Sequence, residues 1–407
     1  MRRSDSQHYK RHCMVVFSIY PLGETRVQRE AEILVRNGYE VDVVCVRLPG
    51  EVAVTNYKGV NIYREKNRLP GFLLRGNGLN KKFLKYLRFF ISASLKVTCL
   101  HIKKHYGCIQ VHNLPDYLVF CTLIPRLLGV PVVLDLHDLM PEFYAGRFGQ
   151  SNSLTFRLIN WQEQLACKYA SHVITVSEHW RQALKQRGVP AEKCSVIMNV
   201  ADETIFCSHD SGKYHQITRG SLRLVYHGSF HKRYGLDLAI KAVDRVRHEI
   251  PNIHLTLIGV GDCLPSMIEL IDSLGLKEYV TVMKLQLAEK LPELICSNDI
   301  GIVPYHNDIF TDGLLPTKLM EYAALGMPAI ASRTTAIESY FKDTMVELFE
   351  PGSLDDLVRC IFTLYNNPER LIELSRGCEK FNQKYNWTNI GKEYVHLIDS
   401  LNGFKGQ

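Results

Sequence analysis

The sequence lacks paired cysteines: twelve are scattered singly, with no C-x-x-C and no Cys/His spacing suited to zinc. That pattern excludes a disulfide scaffold and a zinc module, and predicts reduced thiols in a cytosolic chain. No uninterrupted apolar run is long enough to span a bilayer. The most apolar stretch, 117–134, is broken by Pro125, Arg126 and Pro131. The polar start, Met1 to Arg11, does not read as a secretory signal. Acid is missing from one region only. Between Lys66 and Pro115 there are ten Lys/Arg and no Asp or Glu. Taking those ten cations from the net +7 leaves −3 for the rest. This is a near-neutral body with one basic segment, which argues against a general nucleic-acid coat and for a local anionic partner. No recognised nucleic-acid motif accompanies the basic segment.

What is present fits a globular chain: 407 residues, 46% hydrophobic and 22% charged, too long for one ordinary core. Short β-branched runs alternate with amphipathic helical patterns. Strands are expected at 13–19, 40–46, 108–112, 131–136, 172–176 and 194–198. A second series is expected at 222–226, 254–258, 279–282, 299–303, 328–331 and 346–348. Helices such as 25–37, 116–128 and 236–249 lie between them. Strands separated by helices imply parallel sheets with right-handed crossovers. The polar stretch 201–220 reads as a linker. The expected division is one doubly wound domain at 1–205, a second at 206–385, and a terminal helix in 386–407.

Open parallel sheets bind ligands beyond the carboxyl ends of their strands. Gly23, His137-Asp138, Ser177-Glu178, Asn199, His227-Gly228-Ser229 and Gly259-Val260-Gly261 follow predicted strands. Gly259-Val260-Gly261 has the form of a dinucleotide fingerprint but lacks its third glycine, with Leu264 instead. The most informative segment runs from Asp312 to Pro328. Pro316 suits a helix start and Gly326 its stop, so a helix is expected at 316–325. Its N-terminus suits a diphosphate. Lys318 adds a charge that opposes the helix dipole, and Glu321, a turn deeper, could accept hydrogen bonds from a ribose diol.

These segments together resemble the retaining glycosyltransferases of family 4, which have the GT-B fold of two doubly wound Rossmann-like domains. The resemblance rests on Tyr20-Pro21 with Arg26, on Leu134-Asp135-Leu136-His137-Asp138-Leu139-Met140-Pro141-Glu142 and on Val173-Ile174-Thr175-Val176-Ser177-Glu178. It continues through His227-Gly228 with Gly235-Leu236-Asp237 and Leu315-Pro316-Thr317-Lys318-Leu319-Met320-Glu321-Tyr322. It implies that 1–205 binds the acceptor, that 206–385 binds the nucleotide sugar and that the terminal helix in 386–407 returns to the first domain. It also implies a UDP- or GDP-sugar as substrate, with no metal and no other cofactor, and Glu321 on the ribose. His137 would lie near the donor sugar. Arg233 and Lys318 would take the diphosphate's charge, and Gly23, Gly228, Ser229, Gly261, Asp312, Gly313, Pro316 and Thr317 would line the donor. The chain departs from the pattern in three places. Gly313 stands where the first of two motif glutamates would fall, with Asp312 as the nearest substitute. Ser229 replaces an arginine of the basic pair, and Tyr234 replaces its lysine. Thr334-Thr335 replaces a double glycine. These departures fit branches that act in polysaccharide assembly. The alternatives are a nucleotide-sugar epimerase of the same fold and a non-catalytic descendant.

A lipid-linked saccharide acceptor is expected, met by a cytoplasmic protein peripheral at the inner membrane face. Attachment to an anionic membrane is expected through residues 80–104. As one helix, that segment gathers Lys81, Lys82, Lys85, Arg88, Lys96 and Lys103 in an arc of roughly 120°, with Phe89 inside it to dip between headgroups.

Overall fold

The computed structural model describes residues 10–21, 24–66, 78–149, 153–207 and 220–403, with the side chains of 78–83 excepted. Gly23, Lys81 and Lys82 therefore lie outside what is described, as does most of the expected linker. The chain divides into two units, Met1–Met198 with Ile390–Gln407 and Asn199–Asn389. The first unit takes in most of the last helix, Trp387–Leu401.

The first unit is built on an eight-stranded sheet in the order β3-β4-β2-β1-β5-β6-β7-β8. Its strands are β1 Arg11–Val15, β2 Glu40–Arg47, β3 Val54–Tyr57, β4 Val60–Lys66, β5 Cys108–His112, β6 Val132–Leu136, β7 His172–Thr175 and β8 Cys194–Val196. All neighbours are parallel except the β3–β4 pair. β1, β5, β6 and β7 are buried almost throughout, because helices cover both faces. The hairpin β3–β4 was not expected. Its strands are half-exposed and polar, so they lack the continuous apolar signature of the others. Its turn, Lys58-Gly59, has φ of 49° and 85°, as two-residue hairpin turns require.

The second unit carries six parallel strands ordered β11-β10-β9-β12-β13-β14, namely β9 Ser221–Ser229, β10 Asn252–Val260, β11 Val280–Met283, β12 Ile300–Val303, β13 Ala329–Ser332 and β14 Glu347–Phe349. Counted within the unit, this is the doubly wound order with its switch point between β9 and β12. Leu222, Leu224, Tyr226, Leu255 and Leu257 build its core with Ile240, Val243 and Val246 of the helix Leu236–Val246.

Two expected helices differ in detail. The segment 116–128 is a 3-10 helix, Asp116–Thr122, followed by a short α-helix, Leu123–Leu127. Pro125 has no N–H to bond four residues back, so a continuous α-helix through it is disfavoured. Pro316 has extended backbone (φ −73°, ψ 124°) and the helix is Thr317–Ala324, stopped by Gly326 in the left-handed region (φ 67°).

The helix Gly78–Lys104 also corrects an expectation. Phe89 does not dip outward: it is fully buried, with its ring 5.1 Å from that of Phe17. Lys96 is paired with Glu65 at 3.2 Å. No helix among the described residues is long and apolar enough to cross a membrane.

Candidate active site

At the switch point of the second sheet, β9 ends in His227-Gly228-Ser229 and β12 is followed by Pro304-Tyr305. Gly228 has φ 120°, and a Cβ there would stand 3.2 Å from the Lys318 Cε. Glycine at this position therefore makes room for the lysine. Lys318 is buried, and its Nζ lies 4.8, 5.2 and 5.0 Å from the ring centres of Tyr226, Tyr234 and Tyr305. It donates to the Tyr305 hydroxyl at 2.7 Å. Three aromatic faces around an ammonium replace part of its lost hydration. Burial nevertheless pulls the Lys318 pKa down to about 8, with the Glu321 carboxylate offsetting only part of the effect. A cation kept so poorly solvated at a helix start gains from an arriving diphosphate.

Glu321, one turn further on, pairs with His227: Nε2 to Oε2 is 2.5 Å, and His227 Nδ1 is 3.2 Å from the Tyr322 hydroxyl. The Tyr322 hydroxyl donates to the Val225 carbonyl at 3.0 Å, tying this helix to β9. The structure thus brings together Gly228, Lys318 and Glu321, with Pro316 and Thr317 at the start of the same helix. Arg233 sits on the 3-10 turn Lys232–Tyr234, its guanidinium 4.9 Å from the Phe310 ring. Ser229 is the exposed last residue of β9, and its carbonyl accepts from the Tyr226 hydroxyl at 2.8 Å.

Two expected donor residues, Gly261 and Asp312, carry structural tasks. A Cβ on Gly261 would meet the Phe230 carbonyl oxygen at 2.0 Å, and one on Gly259 the Gly228 oxygen at 1.8 Å. That glycine pair lets the ends of β9 and β10 approach each other. Asp312 Oδ1 accepts from the Thr335 N–H at 3.0 Å, and its carbonyl accepts from Ala336 at 2.9 Å. It therefore holds the start of the helix Thr335–Tyr340, where Thr334 is the N-cap. Gly313 is buried in the preceding loop.

In the first unit, His137 follows β6, and its backbone N–H donates to the Asn113 Oδ1 at 2.9 Å. Asn113 also donates to the Asp138 carbonyl at 2.6 Å and to Asp116 at 3.0 Å, which fixes the loop that presents His137. Beneath it lies Asp135, held by the Arg26 guanidinium through two contacts of 3.0 Å. Arg26 also reaches Glu30 at 3.1 Å and the Ile197 carbonyl at 2.8 Å. Gln110 donates to Glu30 at 2.7 Å and accepts from the Tyr394 hydroxyl at 2.6 Å. Burial raises the Asp135 carboxyl, but Arg26 and the neighbouring histidines outweigh it and hold it well below the carboxylate range. Burial drives Glu30 up to about 8 and lowers His112 to about 4. His137 is raised: burial opposes its charge, and the Asp135 carboxylate prevails. His137 therefore holds a proton more readily than His112.

His112 Nδ1, His137 Nε2 and Asp135 Oδ2 lie 3.1–3.5 Å from one another, a grouping with the composition of a metal-ligand set. The sequence reading found no such cluster, because its members come from two strands. Arg26 already occupies both oxygens of Asp135, and its charge opposes a second cation. The trio reads as a hydrogen-bonded support for His137.

Asp135, His112, His227 and the three tyrosines were not singled out from sequence as site residues. A charge inside Val132-Val133-Leu134-Asp135-Leu136 was the available signal, since a buried strand cannot carry an unpaired carboxylate. Glu178 accepts from Arg181 at 2.8 Å and from Gln182, both on its own helix.

Comparison with known proteins agrees with this arrangement. Residues 23–205 match the model of Glycosyltransferase Family 4, and 221–367 that of Glycosyl transferases group 1. The chain is 25% identical to an uncharacterised glycosyltransferase of Methanocaldococcus jannaschii, over 90% of this chain and 91% of the relative. It is 24% identical to the D-inositol 3-phosphate glycosyltransferase of Rhodococcus erythropolis, over 76% and 72% of the two chains. Sucrose-phosphate synthase of Thermosynechococcus elongatus shares its fold with a TM-score of 0.79 at 18% identity, covering 97% of this chain and 100% of that one. The Anabaena protein HepE, solved with UDP-glucose, superposes with a TM-score of 0.71 at 16% identity, covering 96% and 99%. The chain belongs to the family 4 glycosyltransferases, with two Rossmann-like domains of the GT-B fold.

Proposed function

We propose that the protein transfers a hexosyl group, with retention of configuration, from a UDP- or GDP-sugar to a hydroxyl of a lipid-linked saccharide during surface polysaccharide or glycolipid assembly. The observation that carries the donor reading is Lys318, caged at the switch point one turn ahead of Glu321. In this reading Glu321 takes the ribose diol, and Lys318 with Arg233 neutralises the diphosphate as the glycosidic bond to it breaks. His137, held by Asp135 at 3.5 Å, bears on the transferred sugar. The acceptor oxygen bonds to the anomeric carbon on the face the diphosphate leaves, and its proton passes to a leaving phosphate oxygen. Fixed charges acting on a charge that develops in the transition state supply most of such a rate enhancement. HepE was solved with UDP-glucose, and a related mycobacterial enzyme is named a GDP-mannose-dependent phosphatidylinositol monomannoside mannosyltransferase; both support a nucleotide-sugar donor. The latter name and that of the amylovoran biosynthesis glycosyltransferase of Erwinia amylovora support the acceptor class. We place the enzyme at the cytoplasmic face of the inner membrane.

Incubation with a panel of UDP- and GDP-sugars, with detection of released nucleotide, tests this. Release from at least one donor, lost in Lys318→Met, is expected. No release from any donor, with or without lipid-linked acceptors, would overturn it, and acceptor-free conversion of the donor to its epimer would favour an epimerase.

A further inference from the structure

Three helical elements of the first unit carry apolar side chains that face solvent. On Gly78–Lys104, Leu87, Ile91, Leu95 and Ile102 are exposed, with Leu95 at 65%. At 100° per residue they fall in an arc of about 80°. On the short helix that follows the 3-10 turn, Leu123, Ile124 and Leu127 are exposed, Leu127 at 75%. On Leu154–Tyr169, the stripe is Leu154, Leu158, Trp161 and Leu165, confined to about 60°, with Leu154 at 81% and Trp161 at 57%. The elements are packed together: the Phe90 and Tyr117 rings are 6.1 Å apart, Phe120 and Tyr169 are 4.9 Å apart, and Arg126 lies 4.9 Å over Tyr169. Single exposed leucines are ordinary, but three stripes on adjoining elements are not.

The fully exposed charge on and between these elements has one sign. Lys85, Lys103, Arg147, Arg157 and Lys168 are exposed. Among the described residues from 78 to 169, Asp116, Asp135, Glu142 and Glu163 are buried, and Asp138 is half-buried. No carboxylate there is fully exposed. Glu142 and Glu163 are both turned inward onto Arg187. On the long helix, the cations of the arc from Arg88 to Lys96 lie beside the exposed apolar stripe, and Phe89, Ala93 and Val97 form the buried side.

We propose that this three-element surface docks on an anionic lipid bilayer, the apolar stripes entering the acyl boundary while the flanking cations meet headgroup phosphates. A second copy of the chain would cover the stripes only by bringing cations against cations. Nucleic acid would use the cations and leave the stripes in water. An anionic bilayer satisfies both features at once. Of the basic arc expected from sequence, Lys85, Arg88, Lys96 and Lys103 form one edge of this surface, and the inserting groups are the outward leucines, isoleucines and Trp161 in place of Phe89. Such a surface would bring the enzyme to the lipid-linked acceptor proposed above, but its test needs neither donor nor acceptor, so the two readings fail separately.

The full chain is sedimented at low salt with vesicles of phosphatidylcholine alone or mixed with phosphatidylglycerol. Several-fold higher recovery with the mixed vesicles is expected. Leu95→Ser, Leu127→Ser and Leu158→Ser combined should lower that recovery several-fold, as should Lys85→Gln, Arg88→Gln and Arg157→Gln combined. Circular dichroism and the thermal midpoint serve as the check that each variant folds. Brominated acyl chains should quench the wild-type fluorescence, and Trp161→Phe should remove that quenching. Equal recovery with both vesicle types, unchanged recovery in both variants, or vesicle binding without quenching would overturn the proposal. So would a vesicle-independent dimer in the ultracentrifuge that Leu158→Ser dissolves, or retention on DNA without vesicle binding.

Discussion

Lys318 shows how one residue's surroundings set its chemistry. A lysine in the first turn of a helix opposes the dipole, and here burial makes its charge more costly still, a cost that three tyrosine rings offset only in part. A bound diphosphate would stabilise that charge and raise the pKa above its value of about 8 in the free protein. Binding then takes up a proton, so nucleoside diphosphate affinity should fall as pH rises through about 8. Lys318→Met should weaken binding and flatten this dependence, both readable by calorimetry at pH values on either side. The stability of the free protein has the opposite sign. The folded state holds this proton less tightly than the unfolded chain, so stability should rise between pH 8 and the ordinary lysine value of 10.5. Glu321 offers an independent test. Losing a charge-assisted bond to the ribose costs about 1.5–3 kcal/mol, so Glu321→Gln should weaken UDP or GDP binding about ten- to a hundred-fold and leave the thermal midpoint nearly unchanged. Unaltered affinity would remove Glu321 from the ribose site.

At the scale of elements, glycines decide how closely strand ends approach. Gly261 sits where a Cβ would lie 2.0 Å from the Phe230 carbonyl oxygen, whereas Gly275 faces open space at φ 64°. Gly261→Ala should therefore destabilise the second unit by about 3 kcal/mol, and Gly275→Ala by about 1 kcal/mol, for its left-handed backbone alone. Chemical denaturation of the two variants checks the order. At Gly259-Val260-Gly261, a glycine needed for chain packing and one needed for a ligand look alike in sequence. Buried parallel strands were legible because their apolar runs are continuous. The hairpin β3–β4 was not, since polar edge strands carry no such run and only Lys58-Gly59 marks the turn.

At the scale of the whole chain, the C-terminal helix closes onto residues nearly three hundred positions earlier. Tyr394 donates to Gln110, which bonds Glu30 and Asp135 beneath His137, and Asn402 donates to Tyr39 at 3.3 Å. Truncation after Tyr385 removes these partners from buried polar groups, each worth about 1–3 kcal/mol when left unsatisfied. The amides of β5 and β6 should lose hydrogen-exchange protection while those of β9 and β10 keep theirs. Unchanged protection in β5 and β6 would show that the helix does not support the His137 loop.

The sequence by itself determined the fold class, the alternation of strands and helices, and the gathering of polar residues at strand ends. These depend on local periodicity, which each segment carries alone. It also placed Lys318 and Glu321 one turn apart on a helix. Only the tertiary structure decided that Lys318 is caged by tyrosines from three distant segments, that Glu321 is paired with His227, and that Arg26 and two histidines converge on Asp135. It also decided that Phe89 is buried while its neighbours Leu87 and Ile91 face water. An amphipathic pattern fixes which side chains share a face, but which of two adjacent faces meets the sheet depends on the elements packed beside it.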